Sequence, residues 1–305
     1  MLKRMQIVDG KVVVEPPNGS IHVYVAPDAA ERKVLVETLH IDEHTLNSSL
    51  DPDESARLEF EPEHTALIIK RPKNYCSEDN FLFKVASIGL FIFKERIVVV
   101  ISEDLPLFEG REFAKVQSNM DLVLRVIYRS VFHFEEHLKV INMLSDQLEK
   151  EISRAMENKH LLNLFTLEKS LVYYLNAINS NAKVIDRLRN NAAKIGFTPE
   201  QMEFLDDLTI ENGQCYEQAQ IYSQVLSGLM DARVSIVSNN LNLLMKTLTL
   251  VMIAIMLPTL VISAFSMNVN LPLEQEEGVV SFWIIIILAA VSTTAVWLVW
   301  RWKRW

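Results

Sequence analysis

The chain has 305 residues, a formal net charge of −9 and 50% hydrophobic residues. An acidic chain without a broad basic excess is a poor match for a nucleic-acid backbone, so we expect no nucleic-acid partner. Its two cysteines, Cys76 and Cys215, lie far apart and form no metal or disulfide spacing, which is typical of reduced cytosolic thiols. No long apolar run follows the first basic residues, so we expect no secretory signal peptide.

Residues 1–110 are predicted to form a cytosolic mixed α/β domain. β-Branched and aromatic residues concentrate in six predicted strands, at 11–14, 21–25, 57–61, 65–70, 83–93 and 97–102. Two predicted helices, 28–39 and 42–48, each begin at an acidic residue. The domain has no glycine-rich phosphate loop, nucleophile elbow or paired catalytic carboxylates. We therefore predict no catalytic residue and no enzyme activity.

Residues 111–197 are predicted to be cytosolic antiparallel helices. Apolar residues recur at helical spacing from Leu124 to Ile141, and two helices turning near 158–160 are the economical arrangement. His133 and His137 are four residues apart and would share a helix face, as zinc ligands would. However, Phe134 occupies the position where the metalloprotease pattern requires Glu. We interpret this segment as a charged helix face.

Residues 198–268 are predicted to form a long stalk helix that continues into the first transmembrane helix. Thr198 is a predicted N-cap, with Pro199 at the first helical position and Gln201 completing a capping box. If unbroken to Phe265, this helix would be on the order of 100 Å long. One small domain cannot bury such a helix, which indicates that identical copies pack against one another.

The membrane part of this helix is predicted at about residues 245–267. From Thr247 to Leu273 the chain has no charged residue, which at about 1.5 Å per residue is enough helix to cross a hydrocarbon core of roughly 30 Å. Polar residues and methionines recur at alternating spacings of three and four, so they share one side of the helix. This polar stripe consists of Asn242, Met245, Thr249, Met252, Met256, Thr259, Ser263 and Ser266.

Two interpretations of the polar stripe remain open. It could line a packed helix–helix seam, as small and weakly polar residues often do in bilayers. In an oligomer it could instead line a narrow tube, with Asn268 as a carboxamide ring at its outer mouth. Mg²⁺ gives up its waters reluctantly, and neutral oxygens can hold the hydrated ion without trapping it.

A second transmembrane helix is predicted at residues 279–300, flanked by interfacial tryptophans such as Trp283 and Trp297. Lys246 precedes the first span and the basic tail, 301–305, follows the second, so we expect cytoplasmic termini in a plasma (inner) membrane. The loop at 269–278 is then external. Its acidic residues, which could concentrate cations or merely keep the loop soluble, are Glu274, Glu276 and Glu277.

The outer end of the first span reads Phe265, Ser266, Met267, Asn268. This tetrapeptide resembles the Tyr-Gly-Met-Asn signature of the CorA-type two-span metal-ion transporters, with Phe in place of Tyr and Ser in place of Gly. The Ser-Asn-x-x-Asn approach to the span is present at 238–242, and Leu271 and Pro272 match the hydrophobic-Pro pair after the signature. The resemblance extends in layout over the whole chain.

This resemblance implies an α+β cytosolic domain followed by long helices and two C-terminal transmembrane helices, assembled as a funnel-shaped homopentamer. It implies a selectivity filter at Ser266, Met267 and Asn268. The pore would be lined by Asn242, Met245, Thr249, Met252, Met256, Thr259 and Ser263. The hydrophobic gate would be formed by Met245, Leu248, Met252 and Met256. A regulatory divalent-ion site is implied on the long helix at Asp207, with Asp206 and Glu211 beside it.

The sequence thus predicts a divalent metal-cation channel or transporter, most simply for Mg²⁺ uptake and also for Co²⁺ or Ni²⁺, gated by cytosolic divalent-ion binding. Its expected partners are further copies of itself, membrane lipid and divalent metal ions. One alternative is Zn²⁺ transport within the same family. Another is a non-conducting, membrane-anchored sensor or scaffold whose spans only pack.

Overall fold

The computed structural model describes residues 1–14, 19–76, 79–154, 158–267 and 278–303. The chain divides into two compact units, Met1–Met230 and Asp231–Trp305. The sequence boundary expected near residue 110 falls inside the first unit. The reason is that the sheet and the long helices share one hydrophobic core, described below.

The first unit contains a mixed sheet, whose described strands are β1 (Leu2–Val8), β2 (Lys11–Val14), β3 (Ile21–Val25), β4 (Arg57–Phe60), β5 (Thr65–Pro72), β6 (Val85–Ile92) and β7 (Ile97–Ile101). Their order across the sheet is β2-β1-β3-β7-β6-β5-β4. Strands β3 and β7 pair in parallel, with Ile21 opposite Ile97, and the other described neighbours are antiparallel. The parallel pair therefore joins the N-terminal β1–β3 segment to the β4–β7 meander.

Strand β1 was not predicted from the sequence. It forms a hairpin with β2 in which Met5 pairs with Val14 and Val8 with Lys11. The connecting residues, Asp9 and Gly10, both have positive φ values, 50° and 75°. An Asp-Gly pair is the usual choice for a two-residue hairpin turn, because that turn needs the left-handed region at both positions.

The helices of the first half begin where capping residues predict. Helix α1 (Ala29–Lys33) starts after Asp28, whose side chain accepts a 2.8 Å hydrogen bond from the Glu31 amide. A π-helical turn, Val34–Thr38, continues it. Helix α2 (Glu43–Leu50) starts after Asp42, which caps the Thr45 amide at 2.9 Å. Both caps satisfy amide groups that lack a partner within the helix.

The two faces of the sheet bury different elements. Along β7, the alternation of a strand sends Ile97, Val99 and Ile101 to one face and Val98 and Val100 to the other. The second face packs against α2 and the π-helical turn. The first face packs against the long helices that follow in sequence. The long helices therefore complete the core of the β-sheet.

The long helices are α3 (Asn119–Arg154), α4 (Asn158–Asn190), the short α5 (Ala192–Ile195) and α6 (Pro199–Phe265); a 3₁₀ turn, Arg111–Lys115, precedes them. Residues 158–160, near which the turn was predicted, form the first turn of α4. The predicted apolar face of α3 is buried, including Leu124, Phe134 and Ile141. It packs against α4, α6 and the sheet.

Three polar side chains of α4 bind the backbone near the sheet. Asn181 donates to the Lys70 carbonyl and accepts from the Lys70 amide, both at 2.7 Å. Ser180 accepts from the Ala56 amide at 2.6 Å, and Ser170 accepts from the Phe83 amide at 2.9 Å. The register of β4 against β5 ends at Ile68, so Asn181 provides Lys70 with the hydrogen bonds that β4 no longer reaches.

Helix α6 begins with the predicted capping box. The Thr198 amide donates to Gln201 at 3.0 Å, and the Gln201 amide donates to the Thr198 hydroxyl at 3.3 Å. The helix then continues for 67 residues and contains Pro258. Helix α7 (Gly278–Lys303) is the last described element. Unit two thus consists of the C-terminal part of α6 together with α7.

Candidate functional site: the stripe of the long helix and the cytosolic acidic residues

Every residue of the polar stripe is exposed, and all but Ser266 lie within α6. The methionines show this most clearly, with 62% exposure at Met245, 48% at Met252 and 67% at Met256. Leu248, the remaining predicted gate residue, is 55% exposed. Within a single chain, therefore, no described residue covers the side of the helix on which the pore was predicted.

Helix α7 lies on the other side of α6. The half-buried residues of this part of α6 include Leu250, Ala254, Leu257, Val261 and Phe265. At about 100° per residue, the centre of this set lies roughly 150° around the helix from the centre of the polar stripe. An apolar cavity of about 620 Å³ lies between the two helices. Its lining includes Leu250, Ile253 and Leu257 of α6, and Ala295 and Val299 of α7. The contact surface with α7 and the polar stripe are thus different faces of one helix.

The hydroxyl groups of the stripe donate to their own helix. Thr249 donates to the Met245 carbonyl at 2.8 Å, and Thr259 donates to the Ile255 carbonyl at 2.7 Å. Such bonds are an ordinary way to satisfy a hydroxyl inside an apolar helix. They occupy the hydroxyl hydrogen and leave the lone pairs of the oxygen available as acceptors. The stripe can therefore present neutral acceptor oxygens.

The described residues of the predicted filter, Ser266 and Met267, directly follow the end of α6. The Ser266 amide bonds the Ile262 carbonyl at 3.1 Å, and its hydroxyl donates to the Ser263 carbonyl at 2.9 Å. Ser266 does not have a positive φ, so its backbone conformation does not require glycine. Met267 is 59% exposed. Asn268 and the acidic loop residues Glu274, Glu276 and Glu277 lie outside the described residues.

The predicted regulatory residues have separate surroundings. Asp206 forms an ion pair with Arg189 of α4 at 3.1 Å within the chain. Asp207 is exposed. Glu211 lies beside Glu135 of α3 and shares a hydrogen bond with it. The pKa of Glu135 is raised, mainly by burial and then by the negative charge of Glu211. The described residues contain no group of three or more His, Cys, Asp or Glu side chains placed to hold a metal ion.

The histidine segment of α3 is not a charged helix face, and that interpretation was wrong. His137 is 9% exposed and its Nδ1 lies 2.6 Å from the Tyr174 hydroxyl. The His133 ring packs against the His137 ring, with 4.4 Å between centroids. Burial, aided by His137, Arg71 and Arg129, lowers the pKa of His133 to about 3, and burial with Arg71 lowers that of His137 to about 4. Both rings are neutral near pH 7, with His137 buried and His133 half-buried beside it.

The two free cysteines also have different surroundings. Cys76 is exposed, whereas Cys215 is buried in the core between the long helices. Burial, then the nearby Glu135 and Glu211 carboxylates, raises the pKa of Cys215 to about 12. Its thiol therefore stays protonated and unreactive at neutral pH.

Within the described residues, two helical segments are long and apolar enough to cross a membrane: Pro199–Phe265, through its apolar C-terminal part, and Val279–Trp302. Residues 21–303 match the model of the family described as CorA-like Mg²⁺ transporter protein. The chain belongs to this family. The family predicted from the sequence is thereby confirmed, and it is a family of transporters.

Relatives of this CorA-like chain include the cobalt/magnesium transport protein CorA of Methanocaldococcus jannaschii, which is 24% identical over 276 residues covering 87% of this chain and 84% of the relative. The complete structure of the CorA magnesium transporter from the same organism superimposes with a TM-score of 0.81 at 20% identity, covering 98% of this chain and 96% of that one. The predicted fold class, an α+β domain followed by long helices and a C-terminal apolar helix, is confirmed.

The CorA-like fold is also similar to the cytoplasmic domain of ZntB from Vibrio parahaemolyticus. That comparison gives a TM-score of 0.58 at 12% identity and covers 78% of this chain and 98% of the domain. At this identity the likeness concerns the fold alone. It gives the zinc alternative no advantage over magnesium and cobalt.

Proposed function

We propose that the chain is the subunit of a homo-oligomeric divalent-cation transporter of the plasma (inner) membrane, whose principal cargo is Mg²⁺, with Co²⁺ and Ni²⁺ as further substrates. In this proposal α6 lines the pore and α7 packs outside it. The homopentamer expected from the family resemblance is the assembly we favour. In this proposal Mg²⁺ is both the transported ion and the cytosolic regulatory ion.

The observation that carries this proposal is the position of α7 on the face of α6 opposite the polar stripe. If the stripe were a seam between the two spans, α7 would cover it. It is instead free to face an axis shared with other copies. The hydroxyls of the stripe already donate to their own helix, so the support lies in their free acceptor lone pairs, which could receive hydrogen bonds from a hydrated ion on such an axis.

The chemistry of the stripe suits a hydrated divalent ion. Water molecules bound to Mg²⁺ donate hydrogen bonds outward, and the oxygens of Asn242, Thr249, Thr259 and Ser263 can accept them. Mg²⁺ keeps several of its waters in most protein sites, so outer-shell contacts avoid the cost of dehydration. A negative cell interior favours entry of a divalent cation by about 4.6 kcal/mol per 100 mV, so uptake is the favoured direction.

Gating is proposed at two places. The exposed side chains of Met245, Leu248, Met252 and Met256 would form a constriction that excludes water when the helices approach. In the cytosolic unit, Asp207 would face another subunit, where a divalent ion could offset carboxylate repulsion and stabilise the closed state. Asp206 is less suitable as a direct ligand, because its carboxylate pairs with Arg189.

The proposed topology has both termini in the cytoplasm. Lys246 lies at the inner end of the first span and Arg301, Lys303 and Arg304 at the inner end of the second. Residues 269–278 would then face outside, with Asn268 as the first polar ring met by an entering ion. Glu274, Glu276 and Glu277 would raise the local cation concentration there.

The pore assignment can be tested with a matched pair of cysteine variants. In a Cys76→Ser background, Ser263→Cys places a thiol on the polar stripe, and Ile262→Cys places one on the next residue, which is 47% exposed but about 100° away around the helix. A charged, membrane-impermeant methanethiosulfonate should block Mg²⁺ flux into proteoliposomes through the Ser263→Cys variant and leave flux through the Ile262→Cys variant intact.

Equal block of both variants, or of neither, would remove the stripe from the pore. The mass of the detergent-solubilised particle supplies a separate check, because a monomer or dimer cannot enclose a pore of this kind. If such a small particle carried no flux of any ion, the chain would instead be a membrane-anchored sensor or scaffold.

The regulatory part of the proposal is tested by limited proteolysis of the purified protein. Mg²⁺ should protect the cytosolic unit of the wild type, and Asp207→Asn should weaken that protection. Glu217→Gln is a suitable control, since Glu217 is an exposed carboxylate on the same helix. Unchanged protection in Asp207→Asn would exclude Asp207 from the sensor.

A further inference from the structure

A small cavity of about 110 Å³ lies in the first unit, between the end of β5, the middle of β6, the segment after β7, and α3. Arg71 and Asn74 line it from the end of β5, Leu105 and Leu107 from the segment after β7, and Arg129 and His133 from α3. It is much larger than the roughly 10–15 Å³ that a single water requires. No carboxylate is among its described lining residues.

Arg71 gives this cavity a buried positive charge. Arg71 is only 6% exposed. Its guanidinium donates to the Glu103 carboxylate at 2.7 Å and to the Pro72 carbonyl at 3.0 Å. Its Nε is also buried but has no hydrogen-bond partner within the described residues. A buried charged group with an unused donor is costly, so a ligand with an acceptor oxygen would be stabilising there.

The charge of Arg71 is only partly compensated. Its carboxylate partner, Glu103, is shared with Lys73, whose Nζ lies 3.4 Å away. Arg129 adds a second guanidinium, and its contacts to Glu112 and Glu136 are long, at 3.4 and 3.5 Å. Burial lowers the pKa of His133, and the charges of Arg71 and Arg129 lower it further. A positive potential has this effect on a histidine, because it disfavours the protonated ring. The cavity therefore favours an anion over a cation.

We propose that this cavity binds a small inorganic oxyanion of phosphate type, held by the unused Nε of Arg71 and by Arg129, with Asn74 at the rim. The volume limits the ligand to a free ion or a single terminal phosphate group. Guanidinium groups match the paired oxygens of such an anion well. The site belongs to the first unit and does not depend on the transport proposal.

The site can be tested on the full-length protein in detergent, at near-neutral pH and constant ionic strength. Equilibrium dialysis with radiolabelled inorganic phosphate should show saturable binding of one ion per chain, together with a rise in the unfolding temperature. ATP is compared with inorganic phosphate in parallel. Tighter binding of ATP would assign the site to a terminal phosphate group, whereas equal or weaker binding of ATP would assign it to the free ion. Either result keeps the proposed oxyanion chemistry.

Two variants leave the buried Arg71 in place, one at the exposed Asn74 and one at the half-buried Arg129. Asn74→Asp introduces a carboxylate of the same shape at the rim, and Arg129→Gln removes one cation; each should weaken phosphate binding at least about tenfold, which corresponds to about 1.4 kcal/mol. Asn179→Asp makes the same charge change on an exposed part of α4 and should retain the wild-type affinity. Absence of saturable phosphate binding to the folded wild type, or wild-type affinity in both rim variants, would overturn the proposal.

Discussion

Replacing Asn181 should destabilise the cytosolic unit far more than a substitution of an ordinary helix asparagine. The side chain is fully buried and makes two 2.7 Å hydrogen bonds to the backbone of Lys70. Asn181→Ala would leave the Lys70 amide and carbonyl buried without partners. At about 1–3 kcal/mol for each of these two unsatisfied groups, the free energy of unfolding should fall by about 2–6 kcal/mol.

The assay must report on the cytosolic unit. All five tryptophans lie at or after Trp283, so tryptophan fluorescence would follow the wrong part of the chain. Far-ultraviolet circular dichroism with hydrogen exchange of Arg57–Phe60 and Thr65–Pro72 is suitable. At about 2–4 °C per kcal/mol for a unit of this size, we expect the unfolding midpoint to fall by roughly 4–24 °C. Exchange in both strands should accelerate.

Asn179→Ala is the matched control, because Asn179 is exposed on the same helix. This control should remain close to the wild type, since surface substitutions rarely change stability by more than about 0.5 kcal/mol. If Asn181→Ala unfolded at the temperature of Asn179→Ala, the amide would not be replacing the missing hydrogen bonds of β4.

Two further predictions concern the buried histidines and the signature. Because the folded pKa values of His133 and His137, about 3 and about 4, lie below the unfolded value near 6.5, the unfolded chain binds more protons in this window. The free energy of unfolding should therefore fall as the pH drops from about 6.5 towards 4, by about 1.4 kcal/mol per pH unit for each histidine. Chemical denaturation of the double variant His133→Gln/His137→Gln should show a shallower dependence of this free energy on pH. An unchanged dependence would contradict the burial of the two histidines as neutral groups. Ser266→Gly should retain wild-type Mg²⁺ flux in proteoliposomes, since Ser266 already adopts a conformation open to any residue; a gain or loss of transport would show that its side chain sets the geometry of the filter.

Local features were predictable from the sequence because their causes are local. The caps at Asp28, Asp42 and Thr198 depend on residues within three positions, and each is present in the structure. Strand β1 was missed because its basic residues, Lys3 and Arg4, obscure a strand pattern. The Asp9-Gly10 pair between β1 and β2 was the signal that could have revealed the hairpin.

Contacts between distant parts of the chain were not predictable. The Asn181 amide meets Lys70 across 111 residues, and nothing near Asn181 distinguishes it from an exposed helix asparagine. The histidine pair was misinterpreted for the same reason, because Phe83 and Tyr174, which cover it, come from other elements. The parallel pairing of β3 with β7 is likewise set by the whole fold.

The candidate pore was partly predictable. The spacing of Asn242, Thr249, Thr259 and Ser263 shows a stripe, but spacing alone cannot tell a helix seam from a pore wall. The position of α7 on the opposite face is what favours the pore. The roles of Asn268 and of the external glutamates stay predictions, because these residues lie outside the described ranges.

The most direct test of the transport proposal is divalent-ion flux into liposomes that contain the purified protein, comparing Mg²⁺, Co²⁺, Ni²⁺ and Zn²⁺ for the wild type and for Asn268→Ala. We predict saturable Mg²⁺ entry, accompanied by Co²⁺ and Ni²⁺ entry, that the substitution abolishes while the oligomer stays intact. Zinc flux without magnesium flux would assign the protein to zinc transport. No flux of any ion through folded, oligomeric protein would contradict the proposal that the stripe of α6 is a pore.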